Sequence, residues 1–126
     1  MKQDEILALE PGIELDKIVA VQVMGWEIRQ EDLPDHQSYR EYYYRNGEKY
    51  ENVDYPDHWQ PSKYIDAAWE VEEQIKTLGL CVEYCQALKQ VVVSTGEYVG
   101  LFDYIHATPE QRCKAALLAV LEEEEA

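Results

Sequence analysis

Residues 61–80 read PSKYIDAAWEVEEQIKTLGL and carry the clearest helix signal in the chain. Ser62 is placed as an N-cap, because its hydroxyl can accept from a backbone N–H of the first turn. Gly79 is placed as the C′ residue, because it enters the left-handed region without strain. Between them Tyr64, Ala68, Val71, Ile75 and Leu78 recur at steps of four and three and line one face, with Ile65 and Trp69 widening it. A stripe of that width predicts a sheet or another helix packed over it.

Downstream, residues 80–87, QVVVST (90–95) and EYVGLFDYI (97–105) are rich in β-branched and aromatic residues and are separated by short turns. They are predicted as three antiparallel strands, with Leu80, Val82 and Tyr84 on one face and Gly96 and Gly100 at turn and strand-packing positions. Thr108 then caps a last helix. Pro109 suits the first helical position, Gln111 completes a capping box, and Cys113, Ala116, Leu117 and Val120 form the apolar stripe.

Upstream, residues 4–9 predict one turn of helix ended by Pro11-Gly12. Residues 13–24 predict a second helix, with Leu15, Ile18 and Val19 on one side and Gly25 as its stop. Trp26 and Ile28 then anchor the chain back on the core. Residues 27–38 hold charges, Pro34 and no apolar period, which predicts a loop.

SYREYYYRNGEKYENVDY (38–55) predicts a hairpin, since Asn46-Gly47 supplies the two positive-φ residues of a type I′ turn. That turn pairs Arg45 with Glu48, Tyr44 with Lys49, Tyr43 with Tyr50 and Tyr42 with Glu51. Tyr39, Tyr43 and Tyr50 then share one face, and Arg40, Tyr42, Tyr44 and Lys49 the other. Which face is exposed stays open at this point. Residues 54–60, DYPDHWQ, form a connection that docks Trp59. The whole is read as one mixed α/β domain over residues 1–126, a layered helix–sheet sandwich with a mainly antiparallel sheet, ending in an acidic tail at 122–126 expected to be frayed and solvated.

The 126 residues hold 26 acids against 11 bases, a formal net charge of −15. Direct binding to nucleic acid or to an anionic membrane is excluded on that balance, because phosphate contacts need clustered Lys and Arg. No run of about 18 apolar residues occurs, and the start MKQDEILALE is too charged for a signal peptide. The chain is therefore expected in a cytoplasm, with no membrane partner. Three cysteines fit, since an odd, sparse count is no disulfide framework.

Catalytic and metal signatures are weak. Cys81 and Cys85 on an extended strand stand about 13 Å apart, too far to share one zinc. His36, His58 and His106 lack a nucleophile or an orienting partner at a recognised spacing. Gly96 and Gly100 make no phosphate loop. The expectation is no cofactor, no metal and no catalytic residue. The excess lies in tyrosine: six of the ten fall between positions 39 and 55. Tyrosine gives large contact area at low entropic cost. Arg40, Tyr42, Tyr44 and Lys49, rings beside the few local cations, are the candidate partner-binding residues.

The order helix, three strands, helix at the C-terminal end is similar to that of a double-stranded-RNA-binding domain, but TPEQRCK and LEEEEA lack the basic residues such a domain needs. A broader resemblance lies in LDKIVAVQVMGW (15–26), PSKYIDAAWEVEEQI (61–75) and ATPEQRCKAALLAVL (107–121). Together these blocks resemble the phage ABA-sandwich domain family, small proteins of phages and prophages, mostly from Firmicutes. Leu15, Met24, Gly25, Trp26, Pro61, Ser62, Trp69, Thr108 and Pro109 match its pattern. The resemblance implies a layered α/β fold and phage origin, and brings no catalytic residue with it. The long tyrosine hairpin and the strong acidity depart from the pattern.

The resulting expectation is a non-enzymatic accessory protein in the host bacterial cytoplasm, engaging a host or phage protein, with inhibition of a host defence as the role that fits such proteins. Two alternatives stand beside it. One is a sponge for a small signalling nucleotide, with Tyr42 and Tyr44 stacking on bases and Arg40 and Lys49 on phosphates. The other is a nucleic-acid mimic built on acids at Asp54 and Asp57, at Glu70, Glu72 and Glu73, and at 122–125. Homo-oligomers are compatible with each.

Overall fold

Gly79 and Gly25 both adopt φ +74°, and each ends a helix as its position in the sequence requires. The computed structural model describes residues 2–35, 37–52, 59–94, 96 and 100–125, with backbone alone at 51, 52 and 122–125. In chain order the elements are α1 (Gln3–Leu7), α2 (Ile13–Gln22), β1 (Glu27–Asp32), β2 (Tyr39–Arg45), β3 (Glu48–Asn52), α3 (Ile65–Thr77), α4 (Cys81–Val93), α5 (Leu101–Ile105) and α6 (Pro109–Glu125). The architecture is a mixed α+β fold in which a three-stranded antiparallel sheet, ordered β1-β2-β3, packs against helices.

The strongest local expectations hold. Thr108 and Gln111 form the capping box of α6: the Thr108 N–H donates to Gln111 Oε1 at 2.8 Å, and the Gln111 N–H to Thr108 Oγ1 at 3.1 Å. Its Cys113, Ala116, Leu117 and Val120 stripe is buried. At the end of α3 the Leu80 N–H reaches the Ile75 carbonyl at 3.0 Å and the Gly79 N–H the Lys76 carbonyl at 3.1 Å. That is a Schellman motif, with Leu80 packed back beside Ile75 in the core.

Helix α6 is the hub, touching α1, α2, α3 and α4. Ala115, Ala116 and Ala119 are fully buried on it, and their small side chains let the neighbouring backbones approach closely. Lys114, also buried, donates from Nζ to the Leu7 carbonyl at 2.9 Å and to Glu110 at 2.8 Å, which ties α1 to α6.

Four expectations are corrected. The three strands predicted over 80–105 are helices α4 and α5, with residues 95 and 97–99 outside the described set. Tyr84, Leu88 and Val91 recur at steps of four and three and, with Ala87 and Val92, bury one face of α4 against α6, while Val82 points to solvent. Packing overrode the β propensity of the valines. The loop predicted over 27–38 contains β1, an edge strand paired with β2 and anchored by buried Trp26 and half-buried Ile28.

Ser62 does not cap α3, whose N-cap is Tyr64 without a side-chain bond. Instead the Ser62 N–H donates to Asp16 Oδ1 at 2.8 Å and its Oγ accepts from the Gly12 N–H at 2.9 Å, so it ties the 61–63 turn to the start of α2. The buried stripe of α3 is Ala67, Ala68, Val71 and Ile75, with Tyr64, Ile65, Trp69 and Leu78 exposed. The α6 backbone is helical through Glu125.

Candidate functional site

The hairpin turn forms as its sequence dictates, with Asn46 at φ +56° and Gly47 at φ +84°. Arg45 pairs with Glu48 and Tyr44 with Lys49, as expected. Beyond them the register differs: Tyr43 pairs with Glu51 and Tyr42 with Asn52. The shift between Tyr43 and Tyr44 leaves Tyr50 as the extra residue of a bulge. The bulge lets Tyr50 reach Trp26, ring centroids 4.8 Å apart, while Tyr43 packs on the same indole at 5.4 Å. Trp59 closes this cluster at 4.7 Å from Trp26 and 6.2 Å from Tyr43. Its docking is as expected, while Asp57 and His58 before it lie outside the described residues, as does His36. Tyr43 and Trp59 are thus core, and the inner face of the sheet is the one that packs. Lys17 of α2 reaches Glu41 of β2 at 2.7 Å.

The outer face carries all four predicted residues. Arg40, Tyr42 and Tyr44 alternate along β2, and Lys49 lies opposite Tyr44 on β3. β1 adds Glu27, Arg29 and Glu31, which pair with Tyr44, Tyr42 and Arg40. Arg29 sits over the Tyr44 ring at 4.5 Å and Lys49 over the Tyr42 ring at 4.2 Å. Glu31 is the knot: Lys49 Nζ donates to its Oε1 at 2.7 Å, and the Tyr44 hydroxyl donates to its Oε2. Arg29 also binds Glu27, with Nε to Oε2 at 2.9 Å.

These contacts set the local electrostatics. The hydrogen bonds from Lys49 and Tyr44 hold the Glu31 carboxyl below its usual range, and the carboxylate in turn raises both the Tyr44 phenol and the Lys49 ammonium. Arg29 and Glu31 were missed in the sequence because 27–38 read as a loop. The signal available was alternation, with charged Glu27, Arg29 and Glu31 stepping around Ile28. Four of the 11 cations of an otherwise acidic chain, Arg29, Arg40, Arg45 and Lys49, lie on this small sheet. The result is an ordered, wet-edged aromatic surface with its side chains already held in place.

Elsewhere the groups stay apart. Cys81 and Cys85 are one turn apart on α4 and exposed, not on a strand, and Cys113 is buried, which pushes its thiol up. Among the described residues no three His, Cys, Asp or Glu side chains are placed to hold a metal ion. His106 stacks on Phe102, centroids 4.1 Å apart. Of the acids proposed for mimicry, Glu70 accepts from Trp59 Nε1 at 3.1 Å and Glu72 binds Tyr84 and Arg112; Asp54 and Asp57 lie outside the described residues. No helix among the described residues is long and apolar enough to cross a membrane.

Among known families, the model described as the phage ABA sandwich domain matches residues 17–117. No curated protein and no solved structure matches the chain at a significant level.

Proposed function

Because the chain belongs to the phage ABA sandwich domain family, a family defined by phage origin and a layered fold, we propose that it is a non-enzymatic accessory protein that binds another protein in the bacterial host's cytoplasm. The observation that carries this reading is the lattice on the outer sheet face, in which Glu31 fixes Tyr44 and Lys49 while Arg29 and Lys49 cover the two rings. Rigid aromatic side chains bind with little further loss of entropy, and cations between them favour a partner that presents carboxylates. Inhibition of a host defence is the role this reading favours.

A nucleotide sponge fits less well, since stacking a base on Tyr42 or Tyr44 means displacing the cation that already covers each ring. Mimicry is weakened by Glu70 and Glu72, whose carboxylates serve internal bonds.

The test is retention of partner proteins from lysate of an infected host strain by the tagged chain and by the Tyr42→Ala/Tyr44→Ala variant. The expected result is a discrete partner held by the parent chain and lost by the variant. Retention undiminished in the variant, but abolished by Glu70→Gln/Glu73→Gln or by moderate salt, overturns the reading in favour of mimicry. Heat released with a cyclic nucleotide in calorimetry, with no protein retained, overturns it in favour of the sponge.

A further inference from the structure

We propose that the face formed by α4 and α5 is the contact between two copies of this chain. Helix α5 buries none of its residues: Leu101 is 72% exposed, Phe102 67% and Ile105 63%. Beside it runs an apolar groove of about 410 Å³, lined by Cys85, Gln86, Leu88, Lys89, Leu101 and Tyr104. Val82, 66% exposed, lies one turn before Cys85 and Gln86 on α4 and extends the same surface. Monomers rarely leave aromatic and aliphatic side chains of this size together in water. Together with the groove, they are side chains of the kind found at the apolar centre of protein interfaces.

Two observations select a second copy as the occupant. Protruding side chains and groove sit on the same pair of helices, so a two-fold axis through this face sets the α5 residues of each protomer into the groove of the other, as an isologous contact requires. The second observation is charge. Two chains of −15 repel each other strongly, so they can meet only where acids are scarce. Among the described residues α5 has one acid, Asp103, and its carboxylate is turned back onto the Gly100 N–H at 2.9 Å. α4 has one, Glu83, half-buried on the flank of the groove three residues before Gln86, and Lys89 in the groove lining offsets its charge. The described residues of the face therefore carry little net charge, Glu83 and Asp103 against Lys89, on a chain of net charge −15, so two copies meet here with little mutual repulsion.

This origin makes an unusual salt dependence. Added salt screens the long-range repulsion and leaves the apolar contact intact, so the dimer strengthens with ionic strength. Sedimentation velocity on the full chain, over a concentration series at low and high NaCl, reads it directly. The expected result is a monomer–dimer equilibrium that shifts to dimer with concentration and with salt. Leu101→Asp/Ile105→Asp should raise the dimer Kd by about a hundredfold or more, since each change puts a charge where an aliphatic side chain was to be buried. Both residues are exposed, so an unchanged circular dichroism spectrum is expected; should that variant unfold, Val82→Lys on α4 gives the same reading. Tyr42→Ala/Tyr44→Ala should leave the dimer intact, which separates this contact from the proposed partner surface. A chain that stays monomeric at high concentration and high salt overturns the proposal. So does a dimer that salt dissociates, one that both α4–α5 variants retain, or one that the sheet variant abolishes.

Discussion

The Tyr84 hydroxyl donates to Glu72 Oε2 across 2.5 Å, and Arg112 Nη1 donates to the same oxygen at 2.7 Å, so one carboxylate joins α4, α3 and α6. Arg112 goes on to the Ala107 carbonyl through Nε at 3.0 Å and the Ile105 carbonyl through Nη2 at 3.1 Å, which fixes the turn between α5 and α6. Burial and the adjacent carboxylate push the Tyr84 phenol up, so it acts as a neutral donor throughout the working range of pH. Tyr84→Phe removes one hydrogen bond to a charged group and should cost about 1–2 kcal/mol. Arg112→Met leaves the carboxylate without its cation and two carbonyls without their donor, and should cost about 2–4 kcal/mol. Urea denaturation measures both, and a double-mutant cycle should show the two effects to be coupled. A larger loss in Tyr84→Phe than in Arg112→Met would contradict this ordering.

The sequence was readable wherever backbone chemistry is local. Asn46-Gly47 had to turn, Thr108 and Gln111 had to cap, and Gly25 and Gly79 had to stop helices; all did so. It misled where the answer depended on what lies across. Tyr84, Leu88 and Val91 bury a helical face only because the alanines of α6 leave room for it, and a run of valines seen alone reads as strand. β1 is an edge strand whose charged side chains pair with β2 and with one another, so it shows no apolar period. Ser62 offered the chemistry of a cap and used it on Gly12, 50 residues away. The four candidate residues were legible through alternation about the turn; Arg29 and Glu31, which complete the lattice, were not.

Asp16 is buried between α2 and the 61–63 turn, and its carboxyl is pushed up to about 6 by burial, against the pull of the Ser62 N–H and hydroxyl and of Lys63; Cys113 is its other titratable neighbour. The native state keeps this proton at pH values where the unfolded chain, near 3.8, has lost it. The contribution is therefore fully favourable below about pH 4 and is lost as pH rises through about 6. Asp16→Asn keeps an acceptor for the Ser62 N–H and carries no charge. It should gain on the parent chain by about 2 kcal/mol between pH 4 and 7, with the two curves parallel above that. Chemical denaturation at a series of pH values gives the difference, and a constant offset across the window would refute the assignment.

Glu31 organises the outer sheet face, so its removal should be visible in its neighbours before it is visible in stability. In Glu31→Gln the phenol of Tyr44 and the ammonium of Lys49 lose the carboxylate that raises them. Both should titrate at lower pH, with the tyrosine change followed by ultraviolet absorbance against a Tyr44→Phe control. The sign for stability is the opposite of that for Asp16. Glu31 is held below its usual range, so its contribution is present above the unfolded value and fades as pH falls through the folded one. A Tyr44 titration unmoved by Glu31→Gln would mean that the lattice does not persist in solution.

Gly79 isolates the contribution of one backbone angle. It holds φ +74° at the end of α3, and a Cβ built there meets no atom within 4 Å, so Gly79→Ala adds no clash beyond its own backbone strain. An L-residue in that conformation costs about 1–2 kcal/mol, offset in part because alanine also restricts the unfolded chain. The net loss should be about 1 kcal/mol, and Gly79→Asn, which tolerates the left-handed region better, should lose less. If the Schellman closure is what sets α4 against α6, hydrogen exchange at the Leu80 N–H should quicken in Gly79→Ala before that of the α6 core does. Uniform acceleration across both helices would show instead that the connection opens only with the whole fold.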